Sequence, residues 1–199
     1  MSIRYTKLTK GILSYIDEYG FITIQQCARV FFKGNKQPMI QAQKKLKIMF
    51  ENEMIKRTIF NFTGEYIYTI QNKSPSFHRM CLMNLYSYIY SKNEIIYFKI
   101  EEKWNVSKKR NDAHIIFKNS NGIMIGILIE VDVNHTTSKS KLDALFNSME
   151  IQEWYYEKYK EEYYPTVIIV NSSGKTSLKS DQYDVLCFDF KLTEIDDFF

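Results

Sequence analysis

The sequence predicts an α+β chain of two modules, a helical module followed by an α/β one, and three observations carry the prediction. Residues 1 to 75 hold 12 Lys and Arg against 5 Asp and Glu, whereas residues 76 to 199 hold 15 against 18. Apolar residues in the first third recur three and four apart, the spacing of one helix face, before two short β-forming runs. In the remainder, β-forming runs alternate with helical stretches, and two of those runs are continuously apolar, as strands covered on both faces are. The chain is 199 residues long, enough for two small cores, and 7 Gly with 3 Pro leave little room for disordered linkers. The boundary is placed at the polar stretch Asn72 to Ser76, giving modules 1–75 and 76–199.

Leu8, Ile12, Leu13, Ile16 and Tyr19 give a first helix from Thr6 to Tyr19, which Gly20 ends. Thr23 then serves as N-cap for a second helix with Ile24, Cys27, Ala28, Phe31 and Phe32 on one face. After a turn at Lys33 to Lys36, a third helix begins near Pro38, tolerated in a first turn because its missing N–H would be unpaired there anyway. It runs to Asn52, with Ala42, Leu46, Met49 and Phe50 toward the core. Its other side carries Gln37, Gln41, Gln43, Lys44, Lys45 and Lys47, amides interspersed with cations, a mixture suited to base edges and phosphates. Ile55 to Phe60 and Glu65 to Ile70 are β-forming, and Asn61 to Gly64 between them reads as a hairpin turn.

Helix, helix, helix, hairpin is the order of a winged helix-turn-helix. In that geometry the third helix enters the major groove of double-stranded DNA and the wing reaches the backbone. The expected DNA contacts are Lys36, Gln37, Gln41, Lys44, Lys45 and Lys47, with Lys56 and Arg57 on the wing. The plain alternative is a solvated Lys-rich face on a protein-interaction module.

In the second module Phe77 to Tyr90 is an amphipathic helix, either the first helix of that domain or a dimerisation helix. Ile95 to Ile100 is a candidate edge strand. Strands follow at 113–118 and 123–133, then a helix at 138–160 and strands at 166–170 and 184–190. Asp112 opens one strand, while Glu130 and Asp132, two apart, project from one face of the next. Carboxylates converging at strand ends can hold Mg²⁺, which orients a phosphodiester and activates water. The plain alternative is that Asp112 caps a turn, Glu130 pairs with Lys139 or Lys141, and Asp132 ends a strand.

This order resembles the PD-(D/E)XK nuclease superfamily, a restriction-endonuclease-like α/β fold, over residues 77–190. The resemblance implies Asp112 and Glu130 as metal ligands, with Asp132 assisting. The position that the superfamily gives to a lysine is held here by Asp132, so Lys139 or Lys141 on the following helix would supply the amine. Lys141 is the candidate. With the N-terminal module, Asn111-Asp112 and Ile129-Glu130-Val131-Asp132 look like the replication-relaxation proteins of plasmids and mobile elements. That similarity implies work in replication, relaxation or mobilisation of DNA beside replication or transfer proteins.

Several signals point elsewhere or nowhere. Cys27, Cys81 and Cys187 are odd in number and lie in apolar runs, so reduced thiols in a cytoplasm are expected. No apolar run is long enough to cross a bilayer and the first ten residues lack a signal-peptide core, so neither a membrane partner nor export is expected. Val170 to Thr176 resembles the tail of a phosphate-binding loop, but the motif's first glycine would fall at Ile169 and no firm helix follows. His78, His114 and His135 have no zinc spacing. Lys103, Lys108, Lys109 and Arg110 around Trp104 form a basic run, read either as a phosphate contact or as a mobile solvated loop. The aromatics from Trp154 to Tyr164 read as packing rather than as a base-stacking platform.

The function expected is a dimeric, double-stranded DNA-binding accessory protein whose nuclease-like domain is degenerate. Two alternatives stand beside it, a Mg²⁺-dependent endonuclease or nickase and a winged-helix transcriptional regulator.

Overall fold

Thr6 accepts a hydrogen bond from the Thr9 amide and so caps the first helix, α1 (Lys7–Tyr19), in a computed structural model that describes residues 6–71 and 73–197. Gly20 closes it at φ 90, the left-handed conformation that glycine adopts without a Cβ clash. The chain pairs briefly as β1 (Ile22–Thr23) before α2 (Ile24–Phe31). Thr23 and Gln26 cap α2 reciprocally, side chain to backbone in both directions. α3 (Pro38–Glu51) buries Ala42, Leu46 and Met49, and β2 (Lys56–Ile59) with β3 (Tyr66–Thr69) forms the hairpin. The sheet order β1-β3-β2 adds β1 to β3, a pairing too short to show in the sequence pattern.

α4 (Phe77–Lys92) corrects the expected boundary. The chain divides into units Met1–Ser91 and Lys92–Phe199, so the break falls after α4 rather than at residue 75. Buried Gln26 donates to Asn84 at 2.8 Å, the Arg29 guanidinium lies 5.3 Å over the Tyr88 ring, and Phe77 packs 5.2 Å from Phe62. The helix is also not amphipathic in place. Residues 80–83 and 85–89 are all buried, the pattern of a helix enclosed in a core.

In the second unit, β4 (Glu94–Ile100), β5 (Ala113–Lys118), β6 (Met124–Asp132), β7 (Thr166–Asn171) and β8 (Val185–Asp189) form one sheet in that order. The first three are antiparallel and the last two add in parallel. The continuous apolar runs of β6 and β7 are buried on both parities, as their lack of alternation predicts.

The single helix expected over 138–160 is two helices, α5 (Lys139–Asn147) and α6 (Glu150–Tyr159). Ser148 turns its hydroxyl onto the Leu145 carbonyl, competing with the helical ladder, and Met149 takes φ 57 between the helices. The break lets Leu142 and Leu145 of α5 and Ile151 and Tyr155 of α6 enter one core with Ile116, Leu128, Val167 and Ile169. Each such buried aliphatic contributes about 1.5–3 kcal/mol of transfer free energy. Architecture is thus mixed α+β, with six α-helices and two sheets among the described residues. No helix among them is long and apolar enough to cross a membrane.

Candidate functional site

Two groups of sequence-selected residues are brought to the surface or to a strand end. The first lies on α3 and the β2–β3 hairpin. Lys36, Gln37, Gln41, Lys44 and Lys47 are exposed along the turn before α3 and its outer face, and Lys56 and Arg57 are exposed on β2. The side chains differ in what already holds them. Gln41 Oε1 accepts from Asn35 Nδ2 at 2.8 Å, and Lys47 faces Glu51 one turn on at 3.6 Å. The Arg57 guanidinium is sandwiched 4.4 Å over Phe50 and 4.6 Å over Tyr66. Lys45 departs from the expected pattern. It is half-buried and donates to Thr9 Oγ1 at 2.6 Å, tying α3 to α1 instead of standing on the outer face. Sequence reasoning also missed Met39 and Ile40, 48% and 45% exposed in the first turn of α3, because apolar side chains read as core.

The second group is the acidic cluster. Ala113 pairs with Ile129, so Asp112 at the head of β5 lies beside Glu130 on β6. Asp112 Oδ2 accepts from the Val131 amide at 2.7 Å, a strand cap made by a side chain. Asp132 accepts from the Thr137 amide at 2.9 Å and its hydroxyl at 2.7 Å, organising the loop that leads to α5. Glu130 is 3% exposed. Its Oε2 accepts from Lys141 Nζ at 2.6 Å, and its Oε1 is buried with no hydrogen-bond partner. Burial pushes the carboxyl up to about 7, Lys141 pulls against that shift, and Asp112 adds to it. Between the two lysines considered, Lys141 is therefore the one brought to Glu130, because Ser138 caps α5 and turns its first turn over the strand end.

Among the described residues no group of three His, Cys, Asp or Glu side chains is arranged to hold a metal ion. Asp132 is oriented by Thr137, and its charge, like that of Asp112, raises Glu130 while Lys141 lowers it.

A third cluster escaped the sequence reading. His114, fully buried on β5, places Nδ1 2.6 Å from Glu102 Oε2 and Nε2 2.8 Å from the Tyr155 hydroxyl. Tyr97 donates to the other Glu102 oxygen at 2.7 Å. Burial holds the imidazole below its usual range, and the His114 and Tyr97 hydrogen bonds hold Glu102 low despite its own burial. A neutral imidazole donating from Nδ1 to a carboxylate and accepting from tyrosine satisfies every member. Glu102 and Trp104 point inward while Glu101 and Lys103 are exposed, a period of two that marks the stretch as strand-like. His114 and Glu102 are buried, and the exposed Lys99 reaches Glu102 Oε1 at 3.3 Å.

Compared with known proteins, the chain matches no family model, no curated protein and no solved structure.

Proposed function

We propose that this chain is a double-stranded DNA-binding accessory protein whose first unit is a winged helix-turn-helix and whose second is a PD-(D/E)XK-like scaffold. The observation that carries the reading is the exposed row formed by Lys36 and Gln37 in the turn before α3 and Gln41 and Lys44 on α3 itself, continued by Lys56 on the adjoining hairpin. Amides supply bidentate donors and acceptors for base edges, and the lysines supply phosphate contacts. Met39 and Ile40 add apolar contacts suited to thymine methyl groups. The sheet order of the second unit, three antiparallel strands and then a parallel pair, supports the second half of the reading. The resemblance of its short motifs to replication-relaxation proteins is what points to plasmid replication, relaxation or transfer, in a cytoplasm and as a homodimer.

A specific observation favours a second reading, metal-dependent cleavage. Lys141 Nζ donates to Glu130 Oε2 at 2.6 Å, which supports a relocated amine, and Glu130 keeps one buried oxygen unpaired beside Asp112. On this reading Asp112 and Glu130 would hold Mg²⁺, which would supply Lewis-acid activation of water, and Lys141 would position the Glu130 carboxylate.

One assay addresses both. Purified protein is mixed with supercoiled plasmid carrying its own flanking DNA, with Mg²⁺ or with chelator, and read for gel shift and nicking. A salt-sensitive shift without nicking is expected. Lys44→Ala should weaken the shift on every sequence by about tenfold or less, whereas Lys45→Ala should act mainly through stability, since Lys45 is engaged with Thr9. Equal losses of DNA affinity in the two variants, with folding intact, would remove the groove assignment. Nicking that needs metal and disappears in Glu130→Ala would replace the first reading by the second.

A further inference from the structure

The connection from β4 to β5 carries Lys103, Lys108, Lys109 and Arg110 in a unit that is otherwise acidic. Residues 92–199 hold 14 Lys and Arg against 18 Asp and Glu, and without these four the balance is 10 against 18. A mobile solvated loop would explain such a run, but the segment is built. Trp104 is 5% exposed and its Nε1 donates to buried Asn111 Oδ1 at 2.7 Å. The Trp104 amide donates to the Lys109 carbonyl and the Asn111 amide to the Glu102 carbonyl, so the hairpin ladder continues outward to a Lys103–Arg110 bridge.

At the tip, one carboxylate holds two successive amides. Glu150, the first residue of α6, accepts from the Asn105 amide at 2.6 Å and from the Val106 amide at 2.9 Å. Val106 projects beyond this clamp, 67% exposed, and Lys108 takes φ 57, a conformation a non-glycine residue keeps only where its surroundings fix it. The charges are placed against their own repulsion. Lys103 and Arg110 sit directly opposite each other across an antiparallel bridge, where like charges are unfavourable, and Glu101 relieves only the Arg110 side, at 3.5 Å. Lys103, Lys108 and Lys109 are exposed. A rigid scaffold that holds cations together is preorganised for a polyanion.

We propose that this hairpin tip is a second nucleic-acid contact, a preformed clamp for the phosphodiester backbone in which Lys103, Lys108, Lys109 and Arg110 meet phosphates and Glu150 is the positioning residue. Ammonium groups take phosphate oxygens without discriminating bases, so the contact is sequence-independent. Arg110 lies two residues before Asp112, which leads a strand held at the tip toward the acidic cluster. Nothing in the assignment requires α3 to bind DNA.

The test is fluorescence anisotropy of the full chain on a labelled duplex of arbitrary sequence over a series of salt concentrations. Replacing Lys103, Lys108 and Lys109 together by Ala should weaken binding to every duplex and flatten the dependence of log K on log salt by about 2 to 3, since each lost phosphate contact removes about 0.9. Glu150→Ala makes the opposite prediction from charge alone. It removes an acid, which by electrostatics should tighten binding, yet the loss of the anchor should loosen it several-fold with the cations still present.

An unchanged slope in the triple variant overturns the proposal, and tighter binding in Glu150→Ala overturns the clamp. A triple variant that keeps its DNA affinity but loses retention on polyglutamate assigns the tip to an acidic polypeptide and likewise overturns it. Lys44→Ala in parallel separates the two surfaces. Loss there with an intact triple variant sinks the hairpin alone, and the reverse pattern sinks the α3 reading alone.

Discussion

Glu130 keeps a carboxyl with a folded value of about 7, against 4.5 for the unperturbed group, while its Oε2 touches the Lys141 ammonium. Desolvation wins because one of its two oxygens has no partner at all. The raised value means that the native state holds this proton longer than the unfolded chain does. Stability contributed by Glu130 is therefore greatest below pH 4.5 and falls as pH rises to about 7, a span worth on the order of 3 kcal/mol. His114, held below 6.5, works in the other direction, since its burial as the neutral form is lost as pH falls through and below that value. Glu130→Gln should flatten only the first slope. Urea midpoints of the variant and the parent, compared at matched pH from 4.5 to 8, should diverge with rising pH in favour of the variant. A constant difference across that range would mean that Glu130 titrates normally and that its pairing with Lys141 outweighs its burial.

At the scale of elements, one strand residue fixes how α6 meets the sheet. Gly126 on β6 lies under Tyr155, and a Cβ there would overlap the Tyr155 hydroxyl and press on the Tyr163 ring. Gly126→Ala should cost about 1–3 kcal/mol through overpacking and also part the Tyr155–His114 hydrogen bond, and thermal denaturation would reveal it. A variant as stable as the parent would show that α6 can slide on the sheet. Neither Gly126 nor Tyr155 announced this role in the sequence, where the glycine sits inside an apolar run and the tyrosine in an aromatic cluster. Elements with strong local signals were legible: Thr6, Gly20 and Thr23 marked helix ends, and the apolar runs marked β6 and β7. Where a long-range contact decides, the sequence was mute. The α5–α6 break lets Leu142, Leu145, Ile151 and Tyr155 share one core with β5, β6 and β7, and the Glu102–His114 pair joins the segment after β4 to β5. At the acidic cluster, spacing revealed Asp112 and Glu130 as strand-end neighbours, but only geometry shows Asp132 committed to Thr137 and chooses Lys141 over Lys139.

For the whole molecule, the consequence of moving the boundary from residue 75 to residue 91 is that the basic unit owns α4. Its charge becomes more lopsided, 13 Lys and Arg against 5 Asp and Glu in residues 1–91. Its core also becomes larger, because Met80, Cys81, Leu82, Leu85 and Ile89 are each at most 3% exposed. At about 1.5–3 kcal/mol for a fully buried large apolar side chain, these residues rival the net stability of about 5–15 kcal/mol typical of a whole domain. The polar partners on α2 point the same way, since Gln26 and Arg29 would lose Asn84 and Ser87 and be left facing an emptied core. A fragment ending at residue 75 should therefore lack a cooperative thermal transition by circular dichroism, while one ending at residue 91 should unfold cooperatively. Cooperative folding of the shorter fragment would place α4 outside the first core and return the boundary to the proline-containing stretch where the sequence alone puts it.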